Sequence, residues 1–213
     1  MVCHCRKSLP VLVLGETMKE LLDKWYNQAQ QIAPVRIRTL DRNRLVRHFG
    51  EFGLLKGAEI GVDRGHFSEY ILKYVPGSSL LCVDPWRWKL RGESRYQSTV
   101  RRLEPFGERV QIIRKDSFDA VKDVPDESLD FAFIDGDHTF DYVMTDIIWW
   151  AKKVRYGGVI AAHDVYRFRG AGVVTAVETY TQVHGITKWF LTDERTPTGF
   201  WIREHDPFEF EGV

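Results

Sequence analysis

Two apolar runs in this 213-residue chain end in groups that can bind cations and move protons. The first, "FIDGDH" at 133–138, delivers Asp135, Asp137 and His138; the second, "VIAAHDV" at 159–165, delivers His163 and Asp164. Carboxylates are hard ligands for Mg²⁺, imidazole suits Mn²⁺, Fe²⁺ or Zn²⁺, and a histidine beside carboxylates titrates near neutrality. The pattern is compatible with a metal site, an acid/base pair or a polar loop rim. His138 also has a plainer reading, as the N-cap of a helix starting near Thr139. Asp137 reads as a ligand, an orienting partner of His138 or a solvated loop residue.

Three earlier runs end in a different set. "EIGVDRGHFS" (59–68) supplies Glu59, Gly61 and Gly65 ahead of a helix. Gly61 lets the backbone turn tightly and approach a ligand, and Gly65 frees the helix start from a Cβ clash. The next run ends at Asp84, where a carboxylate can take both hydroxyls of a ribose. The third ends in "KDSFD", placing Asp116 and Ser117 where a carboxylate can accept from the amine of an adenine. Open α/β sheets bind ligands at such strand ends.

The elements that must position these residues follow from the apolar pattern. Short buried runs at 58–62, 79–84, 110–114, 129–135 and 158–164 alternate with amphipathic stretches near 66–74, 94–105, 117–122, 139–153 and 170–183. That alternation predicts a parallel sheet with helices on both faces. The runs at 186–192 and 199–204 are separated by six residues, too few for a helical crossover, so they predict an antiparallel hairpin. Upstream, Met18, Leu21, Leu22, Trp25, Tyr26 and Ala29 share a helical face within 16–31, and Leu45, Val46 and Phe49 another within 41–52. Asp141, Asp146 and Glu178 read as solvated helix faces.

Composition excludes several classes. With 44% hydrophobic and 28% charged residues the chain is globular rather than disordered. No apolar run reaches bilayer length, so no membrane partner is expected. "LPVLVLG" (9–15) lacks a cleavage site and reads as no signal peptide. Three cysteines, two of them in "CHC" at 3–5, make neither a disulfide framework nor a complete zinc site, and a reducing cytoplasm is the expected location. Residues 1–115 carry 21 Lys+Arg against 12 Asp+Glu, and residues 116–213 carry 9 against 18. Arg36, Arg38, Arg42, Arg44 and Arg47 would allow nucleic acid, but the acidic half around the chemistry would repel phosphates. Within 85–97, Trp86 could cover adenine and Arg87, Arg91 and Arg95 grip an anion; a solvated face with Trp86 packed inward reads equally well.

From residue 57 to 204 the order of elements resembles class I S-adenosylmethionine-dependent methyltransferases, whose seven-strand sheet ends in an antiparallel hairpin. The stretch "FIDGDHTFDYVMTDIIWWAKKVRYGGVIAAHDV" (133–165) further resembles the branch with metal-dependent sugar and catechol O-methyltransferases. The resemblance implies that Glu59, Gly61 and Gly65 form the cofactor loop, Asp84 binds the ribose, and Asp116 with Ser117 contacts the adenine. It implies that Asp135 and Asp164 bind Mg²⁺, with Asp135 bordering the cofactor as well, and that His138 is the general base. His163 departs from the pattern, standing where the sugar branch has Glu; Val165 stands where the catechol branch has Asn. As a third metal ligand His163 would favour Mn²⁺ or another transition metal.

The expected fold is α/β: a doubly wound, mostly parallel, seven-stranded Rossmann-like sheet with a C-terminal antiparallel hairpin over 57–213. Residues 1–56 form an N-terminal helical extension, a lid or an assembly element. Its Met18–Leu22–Trp25–Tyr26 face is expected against the substrate mouth or a second copy in a homo-oligomer. The expected function is O-methylation of a small hydroxylated molecule (sugar, phenol or natural product) by S-adenosylmethionine with a divalent metal. Alternatives are the same fold without metal, using His138 alone, and a non-catalytic nucleoside-binding or scaffold domain.

Overall fold

The structure, a computed structural model, describes residues 3–4 (backbone), 17–29, 33–87, 91–166 and 172–204. "LPVLVLG", Cys5 and part of the 85–97 loop lie outside the described residues. Apolar runs make the parallel strands β3 (Lys56–Ile60), β4 (Ser79–Val83), β6 (Leu129–Ile134) and β7 (Val154–Ala162), largely buried, and β5 (Val110–Ile113), a half-exposed edge. Between them run α3 (His66–Tyr74), α4 (Gly92–Leu103), α5 (Ser117–Ala120) and α6 (Phe140–Lys153). Both faces of the sheet's centre pack against apolar cores. Along β6, Phe131 and Phe133 enter one core and Ala132 and Ile134 the other, as period-2 alternation requires. After β7, α7 (Gly172–Val183) leads to β8 (Trp189–Thr192) and β9 (Gly199–Ile202), and β9 is antiparallel to both β8 and β7. The expected hairpin is present.

These seven strands lie in the order β5–β4–β3–β6–β7–β9–β8. The sheet is nevertheless wider than seven. β2 (Val35–Ile37) adds parallel to β8, and β1 (Cys3–His4) parallel to β2, giving nine strands. The N-terminal extension is thus not purely helical. Val35 and Ile37 are fully buried on either side of Arg36, a three-residue alternation hidden among arginines.

The two expected helices of the extension are α1 (Met18–Gln28) and α2 (Arg42–Glu51). A capping box of Thr17 and Glu20 starts α1, and the Asp41 side chain, accepting from the Arg44 amide at 2.8 Å, starts α2. Met18, Leu21, Leu22 and Trp25 do not face a substrate mouth or a second copy. They are buried in the same core as Phe49, Phe131 and Phe190. Burial of each such side chain stabilises by about 1.5–3 kcal/mol, which anchors the extension to the sheet.

The chain winds outward from β3 in one direction and from β6 in the other, so the β3/β6 pair is the switch point where a crevice opens. Gly61, just past β3, sits at φ +92°, and a Cβ there would lie 2.1 Å from the Asp135 carbonyl oxygen. Only glycine lets these two strand ends meet.

Candidate active site

A cavity of about 870 Å³ opens at this switch point, lined by residues following β3, β4, β5 and β6. Eight aspartates border it (Asp63, Asp84, Asp116, Asp119, Asp135, Asp137, Asp141 and Asp146), against two arginines, Arg87 and Arg95. Such a field favours a cationic ligand.

The glycine loop is held by Asp84. Its Oδ2 accepts from the amides of Val62 (3.0 Å) and Asp63 (2.9 Å), and its Oδ1 from the Trp86 amide (2.7 Å). Burial raises the Asp84 pKa, and these backbone bonds oppose the shift. A carboxylate has about four acceptor positions, so Asp84 both clamps the loop and keeps limited capacity for a ligand. Glu59 lies beneath the loop rather than on the cavity wall. It is 2% exposed, accepts from the Ser68 hydroxyl, and burial pushes its pKa up to about 8. Gly65 is at the start of α3 in left-handed conformation, φ +75°, away from the cavity wall. Trp86 is packed inward at 3% exposure, its indole N–H donating to the Asp63 carbonyl at 2.7 Å. It nevertheless borders the cavity.

At the next strand end Asp116 and Ser117 both line the cavity, but both already have partners. Asp116 pairs with Arg87. The Ser117 hydroxyl donates to Asp146 and accepts from the Trp150 indole N–H at 2.7 Å. Asp146 is therefore not a solvated helix residue: it is 5% exposed, and burial pushes its pKa up to about 6.

Beyond β6 and β7, Asp135, His138 and Asp164 converge, one ligand atom from each lying within 4.8 Å of the others. His138 Nε2 is 3.1 Å from Asp164 Oδ2 and 3.9 Å from Asp135 Oδ1. Asp135 first, then Asp164, raise the His138 pKa against the opposing effect of burial. Asp164 sits at φ +61°, a strained backbone that Asp tolerates better than most residues. His163 does not join the cluster. It is 6% exposed, with Nδ1 3.0 Å from the Thr198 hydroxyl and Nε2 3.2 Å from the Thr196 hydroxyl. Its ring lies 6.3 Å from Phe133, and its Nε2 is also 3.5 Å from Asp164 Oδ1, so it borders the cluster from the buried side. Asp137 caps the following turn, accepting from the Thr139 amide at 2.8 Å.

Two members of the site had not been singled out for it from sequence. Asp146 carried a signal: it shares the buried stripe of Val143, Ile147 and Trp150 on α6. Arg42 carried none, because only the tertiary fold brings α2 here. Its guanidinium lies 3.5 Å from Asp135 Oδ2 and 5.0 Å over the Phe67 ring.

Residues 58–165, which span the four cavity-forming strand ends and β7, match the family model described as a methyltransferase domain. The chain belongs to the methyltransferase-domain family. Among curated proteins it is similar to an uncharacterized protein of Acanthamoeba polyphaga mimivirus, 29% identical over 115 residues. That match covers 52% of this chain and 52% of the relative, so the chain spans about half the length of the curated relative it matches. Among solved structures, an O-methyltransferase from Bacillus cereus in complex with SAH superposes with a TM-score of 0.60 at 15% identity, over 90% of this chain and 94% of that one. TomG from Streptomyces achromogenes, an O-methyltransferase of tomaymycin synthesis in complex with SAM, gives 0.55 at 16% identity, over 90% and 93%. At such identities these two share the fold.

Proposed function

We propose that this chain is an S-adenosylmethionine-dependent O-methyltransferase acting on a hydroxyl of a small molecule. The observation that carries the reading is the acidic cavity at the β3/β6 switch point, opening beside the Asp135–His138–Asp164 cluster. Two solved relatives of this fold hold SAH or SAM, which supports the cofactor. Gly61 lets the β3 and β6 ends close together at the cavity, Asp84 fixes the loop that follows, and the aspartates favour a sulfonium. When bound, S-adenosylmethionine supplies an electrophilic methyl group, whose transfer breaks the C–S bond and leaves the electron pair on sulfur.

The acceptor oxygen must lose its proton as the O–CH₃ bond forms. His138 Nε2, in its neutral form, takes that proton, and the resulting imidazolium is stabilised by Asp164 and Asp135. The Asp135 and Asp164 carboxylates also form a suitable donor pair for Mg²⁺ or Mn²⁺, which when bound would polarise the acceptor oxygen as a Lewis acid. Residues 17–51 serve the acceptor side, since α2 carries Arg42 to Asp135. A metal-independent reaction is the second reading. It is favoured by the same ion pairs, because Arg42 and His138 already balance the two carboxylates.

The test is label transfer from methyl-labelled S-adenosylmethionine to a panel of catechols, phenols and sugars, with and without chelator. Transfer abolished by chelator and restored by Mn²⁺ supports the metal-assisted reading. Undiminished transfer in chelator selects the metal-free one. No transfer to any hydroxyl, despite tight cofactor binding, favours a non-catalytic domain.

A further inference from the structure

We infer that Arg42 grips a carboxylate on the acceptor, making the acceptor a hydroxylated carboxylic acid, an inference that rests on the O-methyltransferase reading. The carboxyl edge of the sheet carries two fields of opposite sign. Aspartates ring the cavity, whereas arginines gather where the N-terminal segment and the hairpin reach the same edge. β2 and β8 both run in the direction of β7, so residues just past their ends lie on the crevice side. Arg38 follows β2 and Arg195 stands on the loop joining β8 to β9, and both are exposed. Arg42 stands between this basic edge and the chemistry. Its amide donates to Glu194 Oε1 at 2.9 Å, and the Asp193 amide donates to the Leu40 carbonyl at 2.6 Å. The start of α2 is thereby tied to the hairpin loop.

The guanidinium presents Nη1 to Asp135 Oδ2 at 3.5 Å and lies 5.0 Å over the Phe67 ring. Among the described residues its side chain has these two contacts and no hydrogen bond. A guanidinium is a planar fork of five N–H donors, three of them on Nε and Nη2. About a third of the Arg42 side chain is open to solvent. A carboxylate fits the Nε–Nη2 edge with two parallel hydrogen bonds, whereas a neutral hydroxyl leaves most of those donors unused. Arg42 and His138 also bracket one carboxylate. Arg42 is on the Oδ2 side of Asp135, and His138 Nε2 lies 3.9 Å from Oδ1. A hydroxyl brought to His138 and an anion held by Arg42 are then separated by the width of a small ring, as in a hydroxylated ring acid. A phosphate there would bring a second negative charge beside Asp135 and Asp164, which disfavours it.

The experiment sets protocatechuate, salicylate and glucuronate each against its primary amide, using the full chain. Label transfer from methyl-labelled S-adenosylmethionine gives kcat and KM, and calorimetry on the chain loaded with S-adenosylhomocysteine gives affinity. The wild type is expected to favour the acid of at least one pair by roughly ten- to a hundredfold, the span of a hydrogen bond to a charged group. That preference should lie in KM, with kcat alike for acid and amide. Arg42→Gln should bring the pair to near parity, and Arg42→Lys should restore part of the preference. Thermal melts confirm that both variants fold. A wild type that methylates amides as well as acids overturns the inference and leaves the transferase reading standing. An Arg42→Gln variant that loses kcat on both members yet keeps the preference shows a structural role and overturns it too. Parity produced by Arg38→Gln or Arg195→Gln, but not by Arg42→Gln, moves the grip to the rim and contradicts the assignment to Arg42. If no hydroxyl of any kind is methylated, the transferase reading fails and this inference with it.

Discussion

The Arg42 guanidinium, carried by the N-terminal segment, lies 3.5 Å from Asp135 Oδ2 and opposite the His138–Asp164 contact of 3.1 Å. A positive charge so placed competes with any cation for the same carboxylate. Arg42→Gln should therefore tighten Mn²⁺ binding by roughly tenfold, the scale of a partly screened charge repulsion at this distance. Calorimetry of Mn²⁺ binding to both proteins checks it. Equal affinities would show that Arg42 swings clear at no cost.

His138 touches no part of the glycine loop, so its loss should separate chemistry from cofactor binding. His138→Ala should lower kcat by roughly 10²–10⁴-fold with S-adenosylhomocysteine affinity intact. Single-turnover kinetics with any acceptor found active would show it. An unimpaired variant would demote the histidine to the cavity rim.

Asp84 holds three backbone amides, and its removal should loosen the loop as well as the ribose contact. Asp84→Ala should weaken S-adenosylhomocysteine by roughly 1.5–3 kcal/mol and lower Tm, while Asp84→Asn should do less of both. Unchanged cofactor affinity in a folded Asp84→Ala variant would remove Asp84 from the site.

Glu59 sets a pH dependence of stability. Burial raises its pKa from 4.5 to about 8, so the folded state binds more protons than the unfolded state between those values. Its stabilising share is complete below pH 4.5 and is lost as pH rises toward 8, by up to a few kcal/mol. Glu59→Gln should flatten that loss and raise Tm at pH 8–9 relative to the wild type. Thermal melts from pH 5 to 9 decide it; identical slopes would mean the carboxyl is not held neutral.

Much of this was legible in the chain because buried parallel strands end abruptly in polar residues. Asp84, Asp116, Asp135 and Asp164 all stand at such ends, where the sheet's geometry gathers them. What was hidden has physical causes. β2 is three residues long and its arginines mask the alternation of Val35 and Ile37. Asp146 was read as solvated although it occupies a position on the apolar stripe of α6, because a single polar residue does not break a 3.6-residue period. His163 sits beside Asp164, its Nε2 3.5 Å from Asp164 Oδ1, yet hydrogen-bonding distances to the threonines Thr196 and Thr198 hold the buried imidazole outside the cluster, which no sequence pattern encodes. The partners of Asp116 and Asp135, Arg87 and Arg42, are long side chains whose reach no spacing rule encodes.

The central claim, that cofactor and acceptor chemistry meet at the β3/β6 switch point, is tested most directly by one crystal. Crystals grown with S-adenosylhomocysteine and Mn²⁺, with anomalous data collected at the manganese edge, would locate both ligands at once. The nucleoside is expected over Gly61 with its ribose beside Asp84, and an anomalous peak between Asp135 and Asp164. A nucleoside elsewhere on the chain would contradict it. A correctly seated nucleoside with no manganese peak would retain the transferase and select the metal-free reaction of His138.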